Sequence, residues 1–231
     1  MLKPKKKIKL SSKELKKDEL LTFVEQVSAW YYENQRNVTT VAIAVVIVVA
    51  ATVFYFYNAN SENERASGEL GKVYSLYDQQ QFEQAIEGVA ERNIPGLKTI
   101  ADKYSGTDAG EIAELYLANA YFALGKFDEA HKHYDDCSVS DSRLQAAVQA
   151  GLASCEELKK NYKEAGEHFQ KAAALSGTSP ISAEYLFNAA YNYSRAGEKE
   201  SAAEFFKRLK KEFPQSQQAR DIDRYLTQLA G

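Results

Sequence analysis

From Val38 to Tyr57 the chain runs VTTVAIAVVIVVAATVFYFY, twenty residues without a charge, a glycine or a proline. At 1.5 Å per residue a helix of that length spans about 30 Å, the thickness of a bilayer's hydrocarbon core. The competing reading is a core helix of a soluble domain. Such a helix keeps a polar stripe, whereas only Thr39, Thr40 and Thr52 interrupt this surface. Trp30, Tyr31 and Tyr32 precede the segment and Phe54, Tyr55, Phe56 and Tyr57 close it, the placing expected of interfacial aromatic belts. The segment reads as one transmembrane helix.

The flanks set its direction. Residues 1–37 carry Lys3, Lys5, Lys6, Lys7, Lys9, Lys13, Lys16, Lys17 and Arg36 against five acids, while the fifteen residues after the span hold only Arg65 and Lys72. The positive-inside bias puts the N-terminus in the cytoplasm and the rest across the membrane, which in a bacterium is the periplasm of the inner membrane. A cleaved secretory signal is the alternative. The basic region and apolar run are both long for one, and Ala59-Asn60-Ser61 is a weak cleavage site.

The tail's net charge of +4 leaves −7 of the whole chain's −3 to residues 38–231, which argues against nucleic-acid binding by the exported part. The basic tail suits topology and anionic headgroups better than a specific acidic partner. Ser11 and Glu14 have capping-box spacing, and Leu20, Phe23, Val24, Val27, Trp30 and Tyr31 recur at helical intervals. An amphipathic helix over about 12–35 is expected, lying on lipid or against another membrane protein. Residues 58–231 are long enough for one domain with its own core.

That domain repeats itself. Gly125-Lys126-Phe127-Asp128-Glu129-Ala130, Lys160-Asn161-Tyr162-Lys163-Glu164-Ala165 and Gly197-Glu198-Lys199-Glu200-Ser201-Ala202 align with their alanines 35 and 37 positions apart. A helical pattern precedes each turn, and an aromatic follows four residues after each alanine: Tyr134, Phe169 and Phe206. Small residues such as Ala118 and Ala130 let two antiparallel helices approach, and the aromatic fills the gap to the next pair. The intervals bracket the 34-residue repeat of helical hairpins.

Residues 111–137, EIAELYLANAYFALGKFDEAHKHYDDC, resemble the tetratricopeptide (TPR) repeat, with Pro214 where that family's terminal proline falls. The resemblance implies an all-α solenoid with repeats over about 111–144, 146–179 and 183–216, a degenerate copy at 66–92 carrying Phe82 and Ala85, and a short helix within the insertion that follows it. Ala219, Ile222, Tyr225, Leu226 and Leu229 form a closing helix at 217–229 that shields the last hydrophobic face. The second repeat departs from the pattern at Glu156, where Tyr is usual, and at Lys160, where Gly is usual. A less regular turn is expected there.

The family's groove is lined by the first helix of each pair. Its usual positions correspond to Leu115, Asn119, Phe122 and Ala123, then Ala150, Ser154, Glu157 and Leu158, then Phe187, Tyr191, Ser194 and Arg195. The Lys/Arg clamp for acidic carboxylates is missing, since Leu115 and Ala150 stand where Lys would be needed. The resemblance therefore implies capture of an extended segment or helix through apolar anchors, with packing inside the domain as the alternative for each aromatic.

The whole layout, with Tyr31-Tyr32-Glu33-Asn34 before one span and a TPR domain after it, is similar to the ancillary Sec-translocon subunit family. That family's bacterial members bind the export channel and pass clients to periplasmic chaperones. The insertion also resembles related membrane-anchored TPR proteins, and Phe213-Pro214-Gln215-Ser216 resembles TPRs of other envelope scaffolds. A structural subunit of an integral membrane complex, held through residues 12–57 with Thr40 and Ala44 as a small contact patch, is a third reading.

No catalytic, metal, cofactor or small-molecule site is expected. His131 and His133 are two apart on a helix and face different sides; with His168 they read as solvated surface residues. Walker, nucleophile-elbow and HExxH patterns are lacking, so an enzyme is not expected. Cys137 and Cys155 fall on neighbouring repeats in an oxidising compartment, as buried free thiols or as a disulfide joining the repeats.

Overall fold

A computed structural model describes the backbone of residues 12–230 and the side chains of residues 22–230. The Lys-rich run, the Ser11–Glu14 capping pair and the side chain of Leu20 lie outside the described residues. The chain divides after Asn58 into two units. All of the first unit's described structure lies in α1 (Ser12–Asp78). The residues expected as an amphipathic helix and the apolar run that follows them both lie in α1, which has no break. No glycine precedes Gly68 and the only proline upstream of Pro95 is Pro4, so nothing in the sequence interrupts the ladder.

Among the described residues α1 is the one helix long and apolar enough to cross a membrane, by length and composition. Its polar exceptions are self-satisfied: Thr39, Thr40 and Thr52 each donate to the carbonyl four residues back, at 2.5, 2.8 and 2.8 Å. Phe23, Val24, Trp30 and the large apolar residues from Val41 to Tyr57 are all exposed.

The second unit is built of helical hairpins. The last part of α1 turns into α2 (Phe82–Glu87); α4 (Asp108–Ala123) pairs with α5 (Phe127–Asp136), α6 (Ser142–Leu158) with α7 (Tyr162–Ser176), and α8 (Ile181–Arg195) with α9 (Lys199–Glu212). α10 (Ile222–Ala230) closes the array. Between α2 and α4 the insertion forms a two-stranded antiparallel ribbon, β1 (Gly88–Val89) and β2 (Ile94–Pro95), then the short α3 (Leu97–Lys103). Gly110 in the first turn of α4 is where α3's end folds back. A Cβ there would stand 2.0 Å from the Tyr104 carbonyl oxygen, so no larger residue fits without moving backbone.

Four hairpin turns share one hydrogen-bond pattern. Gln80, Gly125, Lys160 and Gly197 all have positive φ, at 59, 74, 64 and 81°. Each donates to the carbonyl three residues back, and the next residue donates to the carbonyl five back: Gln81 to Leu76, Lys126 to Tyr121, Asn161 to Glu156 and Glu198 to Tyr193, all at 2.9 Å. This C-terminal capping geometry normally selects Gly. The irregular turn expected at Lys160 is therefore corrected. Its two bonds hold Lys160 in the left-handed region despite its Cβ, as they hold Gln80. Lys160→Gly is expected to raise the stability of the repeats by about 0.5–1 kcal/mol, measured by chemical denaturation, because it relieves that strain at an exposed site.

Ala85, Ala130, Ala165 and Ala202, five residues after each left-handed position, are all wholly buried. The aromatics that follow wedge into the next element. Tyr134 lies over Gly151 of α6, where a Cβ would meet its ring at 2.3 Å, and Tyr193 of α8 packs back over Gly166 of α7, a Cβ there standing 3.0 Å from its ring. The buried side chains form two clusters, one from Ala66 to Cys155 and one from Ala153 to Ile222, so α6 belongs to both.

Candidate functional site

The first helices of the hairpins lie side by side. Asn63 of α1 accepts from the Ala109 amide of α4 at 2.8 Å, and Asn192 of α8 donates to Glu157 of α6 at 3.2 Å. Their outward stripes follow helical spacing: Asn63, Ser67, Leu70 and Tyr74 on α1; Ile112, Tyr116, Asn119 and Ala123 on α4; Leu144, Ser154 and Leu158 on α6; Phe187, Tyr191 and Arg195 on α8. Together they make one face across the array.

Several expected groove residues do not stand free on that face. Leu115 is only 5% exposed and belongs to the core, which corrects its assignment as a groove lining. Asn119 is occupied by the Tyr134 hydroxyl, which donates to it at 2.6 Å. Phe122 is half-buried edge-to-face against Phe127. Phe187 lies between Phe206 and Tyr225, 5.9 and 5.5 Å away, so the closing helix covers it. Ala150 and Ser154 are half-buried, and Ser154 bonds back to the Ala150 carbonyl.

The rest cluster at the downstream end. Tyr191 stacks on Phe187 and is 37% exposed, and Leu158 is 49% exposed. Arg195 lies 4.0 Å over the Tyr162 ring and donates to its hydroxyl at 2.6 Å, with Glu157 3.8 Å away. Ser194 lies half-buried beside them. This end is aromatic, with its charges already paired.

The upstream end was expected as a degenerate repeat, but no groove residue was assigned to it. Leu70, Tyr74, Ile112 and Tyr116 line an open cavity of about 410 Å³ between α1 and α4. Ile112 also lines a second cavity, of about 270 Å³, that reaches Val139 and Leu144. Tyr74 is half exposed and meets Tyr116 edge-on at 6.1 Å; Tyr116 in turn touches Tyr77 at 4.8 Å. The signal that would have found it is the Gln80 turn, which fixes the register of a fourth, earlier first helix inside α1.

The histidines, expected as solvated surface residues, are half-buried and hydrogen-bonded. His133 bonds Glu114 at 2.7 Å, His168 bonds Gln149 at 2.8 Å, and His131 bonds Glu156 at 2.8 Å. Glu114 and Gln149 occupy the same place in successive first helices, nineteen residues before their histidines. Glu156 replaces the usual Tyr because it also accepts from Asn161 at 2.6 Å and ties α5 to α6 through His131. Burial, then Lys171, pushes the His168 pKa down. Among the described residues no three His, Cys, Asp or Glu side chains form a metal-holding group.

Cys137 and Cys155 stand as separate thiols in the structure, the first of the two arrangements expected for them. Cys137 donates to the Glu111 carbonyl at 3.6 Å and Cys155 is wholly buried. Burial pushes each thiol up to about 11. At neutral pH almost no thiolate forms, so the native protein is expected to react with iodoacetamide about tenfold or more slowly than the unfolded chain, both cysteines labelling on denaturation. One unlabelled pair after denaturation would contradict this.

A family model described as tetratricopeptide repeat matches residues 144–209, which covers α6 to most of α9. No curated protein matches the chain. The matched repeats and the four equivalent turns make the second unit an all-α array of TPR-like hairpins, of the kind that binds protein partners and is generally non-catalytic.

Proposed function

We propose that the protein is a single-span, membrane-anchored docking module. Its N-terminus lies in the cytoplasm and its repeat domain on the periplasmic side of a bacterial inner membrane, where it assists the Sec export channel by holding clients or chaperones. The observation that carries the reading is the pairing, in one chain, of an uncharged and uncovered twenty-residue helical segment with a repeat array whose first-helix face is apolar and open at one end. The internal bonding of Thr39, Thr40 and Thr52 supports the anchor, since hydrocarbon offers hydroxyl groups no other partner. The basic flank supports the orientation. The export role rests on the similarity of layout alone.

In vivo crosslinking from the span and from Tyr191 or Leu158, followed by mass spectrometry, tests it. Channel subunits captured from the span and exported clients from the repeats are expected. Contacts confined to cell-wall or outer-membrane enzymes would replace the export role with another scaffold. Tyr191→Asp is expected to cut client capture about tenfold with an unchanged helical spectrum, because it puts a charge on a stacked aromatic anchor. Undiminished capture would remove the downstream end of the face from the binding surface.

A further inference from the structure

The two upstream cavities share Asp108 and Ile112, so they form one trough crossing α1, α4 and α6. Its floor is apolar: Leu70, Tyr74, Ile112, Tyr116 and Leu144. Its charged lining is of one sign. Asp108, Glu111 and Asp141 stand at the junction and the far wall, and no Lys or Arg lines either cavity. These carboxylates are not equivalent. Asp141 caps α6 through the Arg143 and Leu144 amides and pairs with the Arg143 side chain, which holds its carboxyl below the usual range. Glu111 accepts from the Ser138 amide at 2.7 Å. The Asp108 side chain has no hydrogen-bond or ion-pair partner among the described residues. An exposed carboxylate, favoured by the start of α4 but without a cationic side chain beside it, therefore sits at the middle of an apolar trough.

An occupant must bury aliphatic or aromatic surface and answer that charge. We propose that the trough seats a short protein segment in which apolar anchors flank a Lys or Arg side chain, the cation meeting Asp108 while the anchors fill the cavities on either side. Acidic segments are repelled by the same rim, and the downstream end, where Arg195 is committed to Tyr162 and Glu157, supplies no second acidic site. The inference rests on the docking reading above and narrows it: the partner's chemistry is basic and apolar, and its seat is the upstream end.

Full-length protein in detergent micelles, titrated against fluorescein-labelled synthetic peptides by anisotropy with protein-free micelles as the blank, tests this. Three probes of equal length suffice: one of Leu and Lys, one of Leu and Glu, one of Ser and Lys. The Leu/Lys peptide is expected to bind at least tenfold more tightly than either of the others, and to weaken as salt rises. Asp108→Lys is expected to weaken it about tenfold and Ile112→Ser by a similar factor. Asp108→Asn, which keeps a polar group in the first turn of α4, should weaken it about threefold with an unchanged melting curve, so that a folding defect cannot imitate the result. Equal binding of the Leu/Glu peptide, or no effect of both Asp108 variants, overturns the inference. If Tyr191→Asp abolishes binding while the Asp108 variants do not, docking on this face stands and the upstream assignment falls. If no variant on the face matters, both fall.

Discussion

Phe206→Ala is expected to destabilise the C-terminal repeats by about 3–5 kcal/mol, the range for deleting a fully buried aromatic. Phe206 is wholly buried, stacks on Tyr225 of α10 at 5.1 Å and meets Phe187 of α8 at 5.9 Å. It thus joins the last hairpin to its closing helix. Because each hairpin of such an array touches only its neighbours, the loss should not spread evenly. Amides of α8 to α10 should exchange before those of α4 and α5, and the first thermal transition should fall by roughly 10 °C. Leu226→Ala, at a half-buried position on α10, provides the scale and should cost much less. A loss below about 1 kcal/mol for Phe206→Ala would mean that the closing helix does not seal the array.

The hairpins were legible because their determinants are local. A left-handed residue, an aromatic or Lys, and an alanine five positions on recur within six residues, and the period follows by counting. The same locality misled at Lys160. Composition says Gly belongs there, but the two turn bonds decide the geometry and a flexible exposed side chain tolerates it. Glu156 and the three histidines could not be read singly. Each is satisfied by a partner nineteen to twenty-five residues away across a helix seam, a distance that no pattern marks. The groove suffered most. A family register gives the right face on average but not the degree of exposure, so Leu115 fell into the core and Phe187 under Tyr225. The most open stretch lay in the degenerate copy, for which no groove positions were assigned. Phe82 and Ala85 marked a degenerate hairpin there, but Tyr74 belongs to a helix continuous with the apolar segment, and the fold is needed to show which of its residues face outward.

The double substitution Ile47→Asp with Val48→Asp is expected to abolish membrane anchoring. Both side chains are over 60% exposed, so the native fold offers the carboxylates no penalty of its own. The penalty comes from lipid. Each Asp at the centre of a spanning helix costs about 2.5–3.5 kcal/mol on insertion scales, and each loses the gain of the apolar residue it replaces, for a combined change of about 6–7 kcal/mol. Under the proposed anchoring Thr39, Thr40 and Thr52 escape such a cost, because each hydroxyl bonds the helix's own carbonyls. A carboxylate cannot do so, because a carbonyl donates no hydrogen bond. The variant should therefore move from the carbonate-resistant membrane fraction to the soluble one, and an alkaline phosphatase fused after Gly231 should lose its activity, while the melting of the repeats stays unchanged. Retention of both properties would show that the apolar run does not cross the bilayer. Retention in the membrane with loss of the reporter would place the anchor in the aromatic-rich stretch before it, where Phe23, Val24, Val27 and Trp30 are exposed along α1.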